Sequence, residues 1–127
     1  MRINKIAAII YVTIGFVVVL FQLLLALGMP FGELVLGGGT PGVLSKSLRW
    51  AELIQAVIIC LCSIVVLSRS EIAFLHFQNI SKKLIWIVVG VAGLSFILNL
   101  ITQSEFERNL WAPVALAMLI TSIIVAR

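Results

Sequence analysis

Apolar positions in this chain do not alternate with polar ones. They gather into four long stretches, at about Ile6–Leu27, Trp50–Leu67, Leu84–Ile101 and Glu105–Ala126. The first three hold a single charged residue between them, Glu52, and the fourth carries its charges only at its start. As a helix, the first stretch would rise about 33 Å, enough for a hydrocarbon core of about 30 Å. In lipid a segment must satisfy its own backbone hydrogen bonds, which favours helices. The pattern predicts an all-α, integral membrane four-helix bundle, up-down-up-down, forming one domain over residues 1–127. A signal peptide is the competing reading of the first stretch, since Arg2 and Lys5 precede it and Ala26-Leu27-Gly28 faintly resembles a cleavage site. Signal apolar regions run to only about 7–15 residues, so we take it as a retained helix.

The connections differ in character. Residues 28–48 contain two prolines and six glycines, which rule out a regular helix. Phe31, Leu34, Val35, Leu36, Val43 and Leu44 make this loop apolar, so it should lie at the membrane interface or fold back over the bundle mouth. Gly37–Gly39 lack the Gly-Lys-Ser/Thr ending of a phosphate-binding loop and read as a flexible turn. Glu71–Lys83 is too short to span and predicts a continuation of the second helix or an interfacial segment, with Ser81 as N-cap of the third. Ser104 and Glu107 form a Ser-x-x-Glu capping box for the fourth helix, within which Pro113 should kink or restart the turn.

Composition strengthens the membrane reading. Only 11% of residues are charged, against about 25% in soluble domains, too few to wet the surface. The net charge of +4 is scattered rather than gathered on one face, so no nucleic acid partner is expected. Counting Lys and Arg orients the chain. Arg2, Lys5, Arg69, Lys82, Lys83 and Arg127 fall on one side, and Lys46, Arg49 and Arg108 on the other. By the positive-inside rule both termini are cytoplasmic. Trp50 and Trp111 then belong to an outer aromatic belt and Trp86 to an inner one.

With that topology, the polar residues within the spans collect in the outer third. Gln22, Glu52, Gln55, Asn99, Thr102 and Gln103 lie there, flanked by Arg49 and Arg108, while the inner halves are nearly all Ile, Val, Leu, Ala and Gly. Tyr11, Gly15, Gln22 and Ala26 share one line on the first helix. Glu52, Gln55 and Ile59 share a face on the second. Ala92, Ser95, Asn99, Thr102 and Gln103 make a stripe on the third. Such stripes should turn inward, and small residues including Gly90 and Gly93 should let helices approach.

Glu52 stands out, because a carboxylate at bilayer centre costs roughly 2.5–3.5 kcal/mol. Arg49, one turn earlier, could neutralise it, as could Arg108. Two readings stay open: a proton or cation acceptor in a pocket, or a structural ion pair locking the second helix to its neighbours. Other chemistry has little support. Cys60 and Cys62 are two apart and point to nearly opposite helix faces. His76 is the only histidine, and the chain has no aspartate, so neither a metal site nor a Ser-His-Asp triad is expected. We expect no cofactor. Glu105 and Glu107 suit capping and the helix dipole.

Leu27-Gly28, Pro30, Gly32, Leu36-Gly37-Gly38 and Pro41-Gly42-Val43-Leu44, with Ser104, Glu107, Arg108, Trp111, Pro113 and Val114, resemble a family of small bacterial integral membrane proteins. The resemblance implies a four-helix fold in a bacterial cytoplasmic membrane. It implies no activity and no residue roles. The expected function is therefore a non-enzymatic interaction or accessory role, with the extracytoplasmic mouth as working surface. The alternative is a small-solute or ion transporter using Glu52. The lipid bilayer is the expected partner, with another membrane protein or a second copy of the chain left open.

Overall fold

The four apolar stretches form four helices: α1 (Ile3–Ala26), α2 (Lys46–Arg69), α3 (Gln78–Ile101) and α4 (Glu105–Ala126). This computed structural model describes residues 2–32, 42–102 and 105–127, and only the backbone of Phe106. Among the described residues there is no strand. Each helix is long and apolar enough to cross a membrane. α1 packs on α2 and α4, and α3 packs extensively on α4 but more sparingly on α2. The result is a four-cornered up-down-up-down bundle with α1 and α3 on a diagonal.

Its outside is apolar. Phe16, Ile54, Leu61, Ile87 and Ile97 are all exposed, a surface that water would not tolerate over such an extent and that lipid satisfies. The protein is a multi-pass integral membrane protein.

Several helices outrun their apolar stretches. α2 begins at Lys46 rather than Trp50, and α3 at Gln78 rather than Leu84. Hydropathy marks the lipid-embedded part of a helix, whereas backbone hydrogen bonding carries the helix on into the polar interface. Ser81 is consequently no N-cap. It lies inside α3, buried, with its hydroxyl donating to the Gln78 carbonyl at 2.8 Å. Nor do residues 71–83 form a single interfacial segment. Residues 70–77 make a tight reversal ending in a 3-10 turn (Leu75–Phe77), and the rest belongs to α3. Glu71 and Phe74 adopt positive φ there, and Ser68 Oγ donates to the Phe74 carbonyl at 3.0 Å to hold the turn.

At the opposite end, α1 closes in a Schellman arrangement. The Gly28 amide bonds to the Leu25 carbonyl and the Met29 amide to that of Leu24, with Gly28 at φ 103, a conformation glycine adopts without a Cβ clash. Pro30 follows and prevents the helix from continuing. The Gly32 amide then bonds to the Gly42 carbonyl at 2.8 Å, which brings the two ends of segment 33–41 together. Leu44 is buried against Leu25, and Phe31 stacks on Phe21 with ring centroids 6.0 Å apart. The described part of the loop thus folds back over the bundle mouth.

Two smaller points follow. α4 runs unbroken through Pro113, which excludes a restart of the helix there, one of the two expected effects of the proline. Of the glycines, Gly90 has open space where a Cβ would stand, and Gly93 meets only the Leu119 side chain. The close approach occurs instead at Gly15, whose Cβ position is 3.4 Å from Ile59 on α2 and 3.6 Å from Met118 on α4.

The packing is divided. The main core, including Tyr11, Cys62, Val66, Ile85, Val88 and Val125, fills the half nearer the chain termini. That half also buries Ser68, Ser70, Ser81, Thr121 and Ser122, whose hydroxyls bond back to nearby backbone carbonyls. It is therefore less purely apolar than expected. A smaller cluster around Leu25 and Leu44 plugs the mouth. Between the two lies a gap.

Candidate functional site

The gap is a cavity of about 500 Å³, within the ordinary range for small-molecule sites. All four helices contribute to it. From α1 come Tyr11, Phe21 and Gln22, and from α2 Glu52, Gln55 and Ile59. α3 and the residue after it supply Ala92, Ser95, Asn99 and Thr102, and α4 supplies Glu107, Trp111 and Met118. These recur at helical spacing: Glu107, Trp111, Val114 and Met118 follow steps of four, three and four along one face of α4.

Glu52 is the centre of the site. It is only 2% exposed, yet among the described residues no ion pair or hydrogen bond holds it. Glu107 lines the same cavity. Glu107 accepts a hydrogen bond from Thr102 Oγ1 at 3.1 Å. Gln22 is 7% exposed, and its Nε2 donates to Gln55 Oε1 at 3.3 Å, which leaves Gln22 Oε1 buried without a partner. Asn99 spends its amide nitrogen on the Ser95 carbonyl at 2.7 Å. Tyr11 also lines the cavity, where the main core begins.

The arginines behave differently from the sequence expectation. Arg49 does not pair with Glu52. Its Nε donates to the Ala26 carbonyl at 2.9 Å, and its guanidinium lies beside Gly28. There it satisfies a carbonyl left over at the end of α1, where the helix dipole favours a cation. Arg108 does not line the cavity either, and its Nε is buried without a partner. A side chain three residues away can reach its neighbour, but here the unfilled helix end competes for Arg49. A charge-assisted hydrogen bond of this kind contributes about 1.5–3 kcal/mol. We expect Arg49→Ala to lower the melting temperature in detergent, and Arg49→Lys, which lacks the Nε donor, not to restore it. A parental melting curve for Arg49→Ala would count against this role.

Of the expected cluster, then, Gln22, Glu52, Gln55 and Asn99 come together around one space. Arg49 and Arg108 stand apart from it, and Gln103 lies outside the described residues. So do Ser104, the other half of the capping box, and the Gly37–Gly39 turn. Trp111 turns inward, packing on Phe21 with ring centroids 4.9 Å apart and walling the cavity. Trp111 is half-buried, whereas Trp50 and Trp86 are exposed. Sequence reasoning missed Glu107 and Trp111 as cavity residues. The signal was present in their shared spacing with Met118, but capping and belt roles explained them first.

The seam between α2 and α3 is shut at one end and open at the other. Val66, Ser68, Ser81 and Ile85 are fully buried near the turn that joins the two helices. Toward the mouth, Gln55, Ile58, Leu94, Ser95 and Leu98 line the cavity while remaining exposed on the outside. Among the described residues, no group of three or more His, Cys, Asp or Glu side chains gathers as a metal site. No family model, curated protein or solved structure matches this chain.

Proposed function

We propose that this protein holds a small solute inside the membrane, in a binding or transport role rather than an enzymatic one. The observation that carries the reading is Glu52: an acidic residue only 2% exposed, lining a cavity of about 500 Å³ with no ion pair or hydrogen bond among the described residues. A buried charge without a partner is costly. A purely structural ion pair would have consumed Arg49, which is engaged elsewhere. The reading favours the transporter alternative over an accessory role at the mouth, because Glu52 lines an interior cavity rather than the outer surface. The excess of Lys and Arg supports cytoplasmic termini, with the cavity in the outer half of a bacterial cytoplasmic membrane.

Cysteine labelling tests this. In a Cys60→Ala/Cys62→Ala background in lipid nanodiscs, Ser95→Cys is expected to react with N-ethylmaleimide at least tenfold faster than Ser122→Cys, which faces packed protein. Equal, slow labelling would mean that the cavity is packed shut in the membrane, and the solute reading would fall. In the same background, Val43→Cys in intact cells should react with an impermeant maleimide. Protection until the cells are lysed would reverse the proposed orientation.

A further inference from the structure

We propose that the solute is a long-chain amphiphile with an uncharged hydroxyl head, taken sideways from the bilayer between α2 and α3. This rests on the reading of the cavity as a solute site and adds the class of its occupant and its route.

The route follows from where the cavity is closed. Leu25 and Leu44, with Phe31 packed against them, cover the mouth. Val66, Ser68, Ser81 and Ile85 are fully buried at the other end of the α2–α3 seam. Between the two, Ile58, Leu94 and Leu98 line the cavity and are also 41%, 58% and 54% exposed on the membrane-facing surface. Among the described residues the opening is therefore lateral and apolar, and it admits a molecule already dissolved in lipid.

The chain of such a molecule is not what the site selects. Lipid tails are as apolar as leucine, so a chain that exchanges bilayer for Phe21, Ile59, Val114 and Met118 gains little. The head decides. Gln22 Oε1 is buried without a partner and needs a donor. Gln55 commits its Oε1 to Gln22 and lines the cavity at the seam, where hydrocarbon offers its amide nitrogen no acceptor. A head that serves both residues must donate and accept. An ammonium has no acceptor and an ionised carboxylate no donor, whereas a hydroxyl is the smallest uncharged group with both.

The test locates the chain and reads the head separately. Purified full-length protein in phosphatidylcholine–phosphatidylglycerol nanodiscs is irradiated with a monoacylglycerol carrying a diazirine at its chain end, and adducts are mapped by mass spectrometry. We expect adducts on Tyr11 or Met118, which line the cavity and are only 2% and 8% exposed. Excess mono-oleoylglycerol should suppress them at least tenfold. Methyl oleate, oleate and oleylamine keep the chain and change the head, and each should compete at least tenfold more weakly. Adducts confined to exposed residues such as Phe16, or equal protection by any of the three, would overturn the assignment.

Two variants test the details. In Gln22→Leu the preference for mono-oleoylglycerol over methyl oleate should fall to near parity, and its persistence in the folded variant would remove Gln22 from head recognition. Ile58→Trp/Leu94→Trp narrows the opening at two exposed positions. Cavity adducts after brief exposure to the probe should drop at least tenfold, with those at Phe16 unchanged; parental labelling would overturn the lateral route. Head selectivity is read on the unaltered protein, so the proposal stays testable if either variant does not fold. Absence of cavity adducts with Ser95→Cys still reacting rapidly would sink the amphiphile and leave the solute site. Failure of both would remove the site.

Discussion

Ser95→Trp is expected to abolish solute binding while leaving the bundle folded. Ser95 lies on α3 between Ala92 and Asn99, lines the cavity and faces its membrane-side opening. An indole there would enter existing space rather than packed side chains, so it should avoid the ~1–3 kcal/mol usually incurred by overpacking. The hydrogen bond from Asn99 to the Ser95 backbone carbonyl survives the substitution. Solute affinity should fall at least tenfold, about 1.4 kcal/mol, with the melting temperature within a few degrees of the parent. Ser95→Ala, which keeps the space, should bind nearly as the parent does. Parental affinity in a folded Ser95→Trp would show that the ligand does not use this cavity.

Gly15→Leu should have the largest effect on stability. Gly15 is where α1 comes closest to two neighbours at once: a Cβ would stand 3.4 Å from Ile59 Cγ2 and Ser63 Oγ and 3.6 Å from Met118 Cε. Those are already contact distances, so the rest of a leucine side chain has nowhere to go. Inserting it forces α1 away from α2 and α4, at about 1–3 kcal/mol or more. Gly15→Ala is the informative control. Its single methyl meets ordinary contacts, and alanine gains about 1 kcal/mol of helix propensity over glycine. It should be neutral or mildly stabilising. Both are read as thermal unfolding in the same detergent, and a Gly15→Leu that melts with the parent would show that the α1 contact gives way freely.

Much of this could be read in the chain before any coordinates. A run such as Leu84–Ile101 without one charge can only be lipid-embedded or deep core, and its length decides for lipid. The inward lines of α1 were also legible, because Tyr11, Gly15 and Gln22 repeat at helical spacing. Depth was legible for the same reason: Gln22, Glu52, Gln55 and Asn99 all fall at one level when four helices of known length are laid side by side.

Pairing was not legible. Arg49 stands three residues before Glu52, and local spacing favours an ion pair between them. The competing acceptor, the Ala26 carbonyl, is distant in sequence and becomes available only when α1 ends beside the start of α2. Glu107 likewise has a sufficient local explanation as a helix-start residue, and its place on the same cavity as Glu52 depends on how α4 is rotated against α2. Empty space is harder still, since a cavity is the absence of packing and no single residue encodes it.

The sequence by itself therefore determined that this is a four-helix membrane protein with a polar level near one end, because burial in lipid constrains composition over whole helices. Only the tertiary structure decided that this level is hollow, that Glu52 is left without its arginine and shares a cavity with a second carboxylate, and that the α2–α3 seam opens there. Those features depend on helix rotation and separation, which small differences in packing set and which periodicity along one chain does not specify.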